Sequence, residues 1–137
     1  MSEPAPDRNV NPSDRGRETG GQFPRSARLL RHADFERVYK QGRRHFSPHM
    51  TVFYLRRETG EGLRIGFTVG RVLGAAVERN RIKRRMREAV RLRRREGMAA
   101  VDVVINPKKS VLKVEFPELL TEIGKAFEVI QKKLGTA

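Results

Sequence analysis

The sequence predicts an α+β fold, a small sheet of about four strands with three helices packed on it. Three observations lead there. Apolar residues recur at helical spacing in three separate segments, and short β-branched or aromatic runs lie between them. With 137 residues, 37% of them hydrophobic, the chain has material for one small core. No internal repeat is visible.

Residues 1–25 are rich in Pro, Gly, Ser, Asn, Asp and Arg. Their charges cancel, Arg8, Arg15, Arg17 and Arg25 against Glu3, Asp7, Asp14 and Glu18. Such a segment buries too little to offset its ordering entropy, so a disordered N-terminal extension is expected, with the folded domain over 28–134. From Leu29 to Gln41, Leu30, Phe35, Val38 and Tyr39 fall near one side of a helix, which Gly42 would stop. Arg43–Phe46 could add a short strand. His49–Arg56 alternates Thr51, Phe53 and Leu55 with Met50, Val52 and Tyr54, which reads as a strand. Glu58–Gly62 is a turn signal and Leu63–Val69 a second strand, so the two are expected to form an antiparallel hairpin.

The most informative stretch is Ala75–Arg95. Between Arg79 and Arg95 it holds ten basic residues (Arg79, Arg81, Lys83, Arg84, Arg85, Arg87, Arg91, Arg93, Arg94 and Arg95) against one acid, Glu88. Val77, Ile82, Met86, Ala89 and Val90 recur at roughly helical spacing, which predicts a helix with one apolar stripe and cationic outer faces. Ala100–Ile105 is a nearly continuous apolar run, as in a central strand, and Asn106–Pro107 is expected to break it. Pro117 suits a first helical turn. Beyond it Leu119, Leu120, Ile123, Phe127, Ile130 and Leu134 form the stripe of a closing helix, with Gly135 as its stop.

A net charge of +14 and a pI near 11.3 point to a polyanionic partner. No apolar run approaches the roughly 20 residues that span a bilayer, and no signal-peptide core is seen, so neither membrane insertion nor secretion is expected. The absence of cysteine removes disulfides, thiolate metal sites and cysteine nucleophiles. A cytoplasmic protein is expected.

The run from Phe67 to Arg91 resembles the signature of the bacterial ribonuclease P protein subunit. In that family a strand and a Gly-containing loop precede a helix of the form Arg-Asn-Arg-x-Lys-Arg-x-x-Arg-Glu-Ala. Here Arg79, Asn80, Arg81, Lys83, Arg84, Arg87, Glu88 and Ala89 match it. The resemblance extends to Asp34–Phe35, Val38–Tyr39, the strand holding Phe53, the strand around Asp102–Ile105 and the closing helix, and so covers roughly 28–134. It implies an α/β sandwich in which the Arg-Asn-Arg helix makes a left-handed crossover between two parallel strands. It also implies a cytoplasmic subunit that joins a large catalytic RNA, as a monomer within a one-protein, one-RNA unit, and helps it remove the 5′ leader of precursor tRNA. The RNA and its magnesium ions would carry the hydrolysis, so no catalytic residue and no cofactor of the protein alone is expected. The loop departs from the family's common Ser-Lys-Lys-Val-Gly-x-Ala-Val at Arg71 and Val72, and Ile105–Asn106–Pro107 replaces Ile-Ala-Arg; basic contacts at Val72 and Pro107 are therefore missing.

These residues define two surfaces. On the helix, Arg71, Arg79, Asn80, Arg81, Lys83, Arg84 and Arg87 are the candidate RNA contacts, since guanidinium groups donate bidentately to phosphate and keep their charge. Asn80 could reach a sugar, a base edge or the backbone, or be a helix-start or core-contact residue; Arg91–Arg95 could be solvated charge. The second surface is aromatic. Phe35, Tyr39 and Phe53 could stack unpaired bases or simply be core residues; the residues alone favour the core, the resemblance a leader-binding groove. Arg64 and Lys40 are weaker candidates for phosphates there. Two rival functions remain: a structural, ribosomal-type RNA-binding protein without a processing role, and an intrinsic nuclease using His32, His45 and His49, whose spacing matches no compact catalytic motif.

Overall fold

The computed structural model describes residues 28, 31–60, 62–94 and 100–134. The predicted extension over 1–25, the expected core residue Leu30 and the helix stop at Gly135 lie outside them. The elements are helix α1 (His32–Gln41), strands β1 (Arg43–Ser47), β2 (Met50–Arg56) and β3 (Leu63–Phe67), helix α2 (Ala76–Arg93), strand β4 (Val101–Pro107) and helix α3 (Phe116–Leu134). Single 3₁₀ turns at Arg71–Leu73 and Lys109–Leu112 lead into α2 and α3.

The sheet order is β1-β2-β4-β3, with β1 and β2 antiparallel, β2 and β4 antiparallel, and β3 and β4 parallel. The expected β2–β3 hairpin is therefore not formed. β4, some forty residues later in the chain, lies between the two strands, and α2 is the crossover that joins the parallel pair. β4 has the most apolar strand sequence, buried along nearly its whole length, and takes the centre where both faces are covered. Its ladder runs on through Asn106 to Pro107, which pairs with Met50, so Asn106–Pro107 forms the last pairs of the strand instead of breaking it after Ile105. β3 stops at Phe67, two residues short of the expected Val69.

Side-chain alternation divides the core in two. Met50, Val52 and Tyr54 of β2, Leu63 and Ile65 of β3, and Val101, Val103 and Ile105 of β4 meet Ile82, Met86, Ala89 and Val90 of α2 and Leu119, Ile123, Ala126, Phe127 and Ile130 of α3. Val77, expected on that α2 stripe, is 70% exposed. Five residues before Ile82 means about 140° around the helix at 100° per residue, which takes Val77 off the stripe. On the other face α1 packs on β2 and β4, with Val38 and Val104 fully buried between them. Gly42 ends α1 because the backbone passes closely there: a Cβ would lie 2.6 Å from the carbonyl oxygens of both Val38 and Tyr54. Among the described residues no helix is long and apolar enough to cross a membrane.

Candidate nucleic-acid interface

The buried stripe of α2 fixes which of its cations face outward. Ile82, Met86, Ala89 and Val90 are sealed in the core, which turns Asn80, Arg81 and Arg84 to solvent. Asn80, Arg84 and Arg87 follow one another at i, i+4 and i+7, so they line one ridge, with Arg81 beside it. Lys83 and Arg87 are half-buried on the flanks. Arg71 is exposed on the 3₁₀ turn ahead of the helix.

Arg79 and Arg85 are tied to the fold. Arg79 donates from Nε to the Gly74 carbonyl at 3.1 Å, and so braces the loop that enters the helix. Arg85 donates to the Val114 carbonyl and lies 5.8 Å from the Phe116 ring centroid, which fixes α2 to the start of α3. The entry itself is built by Glu78, whose carboxylate accepts the Ala75 N–H at 3.0 Å. Gly74 sits at φ +129°, and a Cβ there would come within 2.2 Å of that carboxylate, so only glycine fits. Further along, Arg91 pairs with Glu88; hydrogen bonding from the guanidinium holds the Glu88 carboxyl below its ordinary range.

The sheet face under α1 carries the aromatic candidates, arranged by register in three rows. The first row runs Phe46–Thr51–Asn106, the second Arg44–Phe53–Val104–Gly66, and the third Leu55–Asp102–Arg64. Tyr39 reaches down from α1 to both of the first two. Its ring meets the Phe53 ring edge-on, with centroids 4.9 Å apart. Its hydroxyl donates to Asn106 Oδ1 at 2.9 Å and lies 2.6 Å from Thr68 Oγ1. Phe35, Tyr39, Phe53 and Leu55 are only half-buried around Val38 and Val104, so the rings border the small core while keeping surface in solvent. The Arg44 guanidinium lies 5.4 Å from the centroid of Phe53, within cation–π range.

The third row is an ion-pair lock. Asp102, 2% exposed, accepts Arg64 through both carboxylate oxygens, at 2.9 Å each, and Arg57 at 3.0 Å. Arg64 also lies 3.9 Å from Asp34, which in turn pairs with Arg37. Hydrogen bonding to Asp102 raises the Arg64 pKa above its ordinary value. Arg64 thus stands on the aromatic face with its fork already engaged by a carboxylate, whereas Lys40 is exposed in the last turn of α1.

The family model described as Ribonuclease P matches residues 23–131. The chain belongs to the ribonuclease P protein family. It is 41% identical over 104 residues to the ribonuclease P protein component of Symbiobacterium thermophilum, covering 74% of this chain and 88% of that one. It is 36% identical over 115 residues to that of a Geobacter species, with 84% and 97% covered. Among solved structures, the Staphylococcus aureus RNase P protein superposes with a TM-score of 0.66 at 24% identity, over 75% of this chain and 94% of that one. The Thermotoga maritima RNase P protein gives 0.65 at 24%, over 74% and 96%. These likenesses establish the fold, three helices on a four-stranded mixed sheet.

In this ribonuclease P family member the three histidines do not converge. His32 opens α1 and lies 3.4 Å from Glu36, on the Phe53 side of the sheet. His45 pairs with Val52 and so belongs to the opposite side. His49, in the β1–β2 turn, is held by the Ser110 hydroxyl at 2.7 Å and lies 3.5 Å from Glu122, which also accepts from Ser47. That cluster clips the turn to α3. Among the described residues no group of three or more His, Cys, Asp or Glu is placed to hold a metal ion.

Sequence reasoning misses Arg44, Thr68 and Asn106 as partners of the aromatic rings, and Asp102 as the group that occupies Arg64. In the sequence Asn106 stands out only as the loss of a basic residue; in the fold it positions Tyr39. The signal for Arg44, Asn106 and Asp102 is the strand register, which side-chain alternation alone does not supply; Thr68 follows the end of β3.

Proposed function

We propose that this chain is the protein subunit of ribonuclease P. It binds the catalytic RNA through the outer ridge of α2 and the 5′ leader of precursor tRNA through the aromatic groove, and so promotes endonucleolytic 5′ maturation. Family membership supports the coarse assignment. The observation that carries the division of labour is the contrast between an α2 whose apolar stripe is buried while Asn80, Arg81 and Arg84 face solvent, and a half-open set of rings on the far face of the sheet.

Arg71, Arg81, Arg84 and Arg87 neutralise phosphates with counterion release, Lys83 adds charge beside them, and Asn80 supplies an uncharged donor and acceptor for a sugar or base edge. Arg79 orders the approach loop and stays close to the same surface. Phe35, Tyr39 and Phe53 offer ring faces and edges to unpaired bases without sequence preference, as a leader that differs between substrates requires. Arg64 keeps the wall of the groove in place through Asp102. The RNA, with its magnesium ions, performs the hydrolysis; the protein supplies no nucleophile or general base. One protein acts with one RNA, in the cytoplasm.

Precursor-tRNA cleavage at low magnesium tests this with protein alone, a cognate ribonuclease P RNA alone, and the two together. Strong cleavage in the mixture only, releasing an intact 5′ leader, is the expected result. No stimulation of a well-folded RNA would reduce the protein to a structural RNA-binding module, and cleavage by protein alone would return attention to the histidines.

A further inference from the structure

The aromatic face of the sheet holds a further phenylalanine, on edge strand β1, that neither buried core cluster includes. Phe46 is 70% exposed on edge strand β1. Its register partner is Thr51, while Arg44 pairs with Phe53, so Phe46 emerges on the same side of the sheet as Arg44, Phe53 and Tyr39. It is the diagonal neighbour of Phe53, at about 7–8 Å, within reach of successive large flat groups. α1 packs mainly over β2 and β4.

A single exposed phenylalanine is ordinary on a protein surface; its charge surroundings are what decide here. Arg44, exposed and on the same side, stands two residues away on the same five-residue strand, whereas Arg43 pairs with Tyr54 and belongs to the opposite face. Across the sheet, the far end of the groove is occupied by the carboxylates of Asp34 and Asp102, already bound to Arg37, Arg57 and Arg64. The cations at that end are engaged by carboxylates, whereas Arg44 is exposed over the Phe53 ring. Arg44 is therefore the cation that a polyanionic strand leaving Tyr39 and Phe53 meets on the β1 side. The first row also lies at the end of the sheet where β3 departs through Thr68 toward Arg71 and α2, so both cationic regions border it.

We propose that Phe46 is a stacking platform for one further unpaired nucleotide of the leader, so that the groove runs from Tyr39 and Phe53 outward across β1. This rests on the leader-binding reading above and adds to it a direction and a longer footprint. The occupant is a nucleobase, recognised by its π-face and indifferent to sequence, with Arg44 placed for its phosphate.

The test uses the reconstituted holoenzyme and precursor tRNAs whose leaders are shortened one nucleotide at a time from the 5′ end. Affinity is measured for the wild type, Phe46→Ala, Phe46→Tyr and Phe53→Ala. The wild type should tighten with leader length to a plateau. Phe46→Ala should reach its plateau one nucleotide earlier, roughly fivefold weaker on the longest leader. Its affinity for mature tRNA should be unchanged, and Phe46→Tyr should restore the wild-type profile. A Phe46→Ala profile identical to wild type would overturn the proposal while leaving the groove standing, provided Phe53→Ala still weakens binding. Equal loss on mature tRNA, or a change in the protein's self-association on sedimentation, would overturn it in favour of a general RNA contact or a protein–protein face. A wild-type affinity indifferent to leader length would remove the groove itself.

Discussion

Arg64 and Arg84 are the same residue type, on elements that follow each other in the chain, and the fold treats them oppositely. Arg64 faces a buried carboxylate across the β3–β4 register, and both edges of its fork are taken. Arg84 stands on the outer ridge of α2, where the buried stripe of Ile82, Met86, Ala89 and Val90 turns it to solvent. One guanidinium holds the sheet to its neighbours; the other faces solvent. In a chain with 30 lysines and arginines, charge alone does not identify the interface. A candidate is marked by charge that the fold itself leaves exposed.

The sharpest way to break this contrast is to remove the carboxylate. Asp102→Ala strands Arg57 and Arg64 beside an apolar strand, and loss of one partner from a buried pair costs about 3–5 kcal/mol. Because Arg64 is one-third exposed, the lower end is expected. Urea unfolding would measure it, and a change of under about 1 kcal/mol would mean that the lock is ornamental.

Reversing charge on the ridge should do the opposite. Arg81→Glu with Arg84→Glu should leave unfolding stability within about 0.5 kcal/mol. The same pair should weaken assembly with the catalytic RNA and flatten the log–log salt slope by about 0.7–0.9 per lost contact. An unchanged slope would show that neither side chain meets a phosphate. Smaller again, and confined to one ligand, is the effect of Phe53→Ala. It removes the ring that Tyr39 meets edge-on and that Arg44 covers, and should weaken precursor tRNA by about 1–3 kcal/mol while sparing mature tRNA.

How much of this is legible in the sequence depends on the range of each signal. Periodicity is local, so it locates α2, α3, β2 and β4 and sorts Phe53 from Tyr54 onto opposite faces. Pairing is not local. The β2–β3 hairpin is a reasonable inference from two strands and a turn, and it fails because β4 is the more apolar strand and takes the place between them. Arg64 and Asp102 are 38 residues apart, and only the register of a parallel pair brings them opposite. The same limit hides Asn106 beneath Tyr39 and Arg44 over Phe53. Whether a ring is core or platform is set by where α1 stops covering the sheet, which no spacing in the chain records.

If α2 and the aromatic face handle different nucleic acids, the two can be separated in one experiment. It is the ratio of precursor-tRNA to mature-tRNA affinity, measured on holoenzymes assembled at saturating protein from wild type, Phe53→Ala and the Arg81→Glu, Arg84→Glu pair. The ratio should fall for Phe53→Ala and hold for the arginine pair. A ratio that survives Phe53→Ala, or collapses with the arginines, would contradict that division.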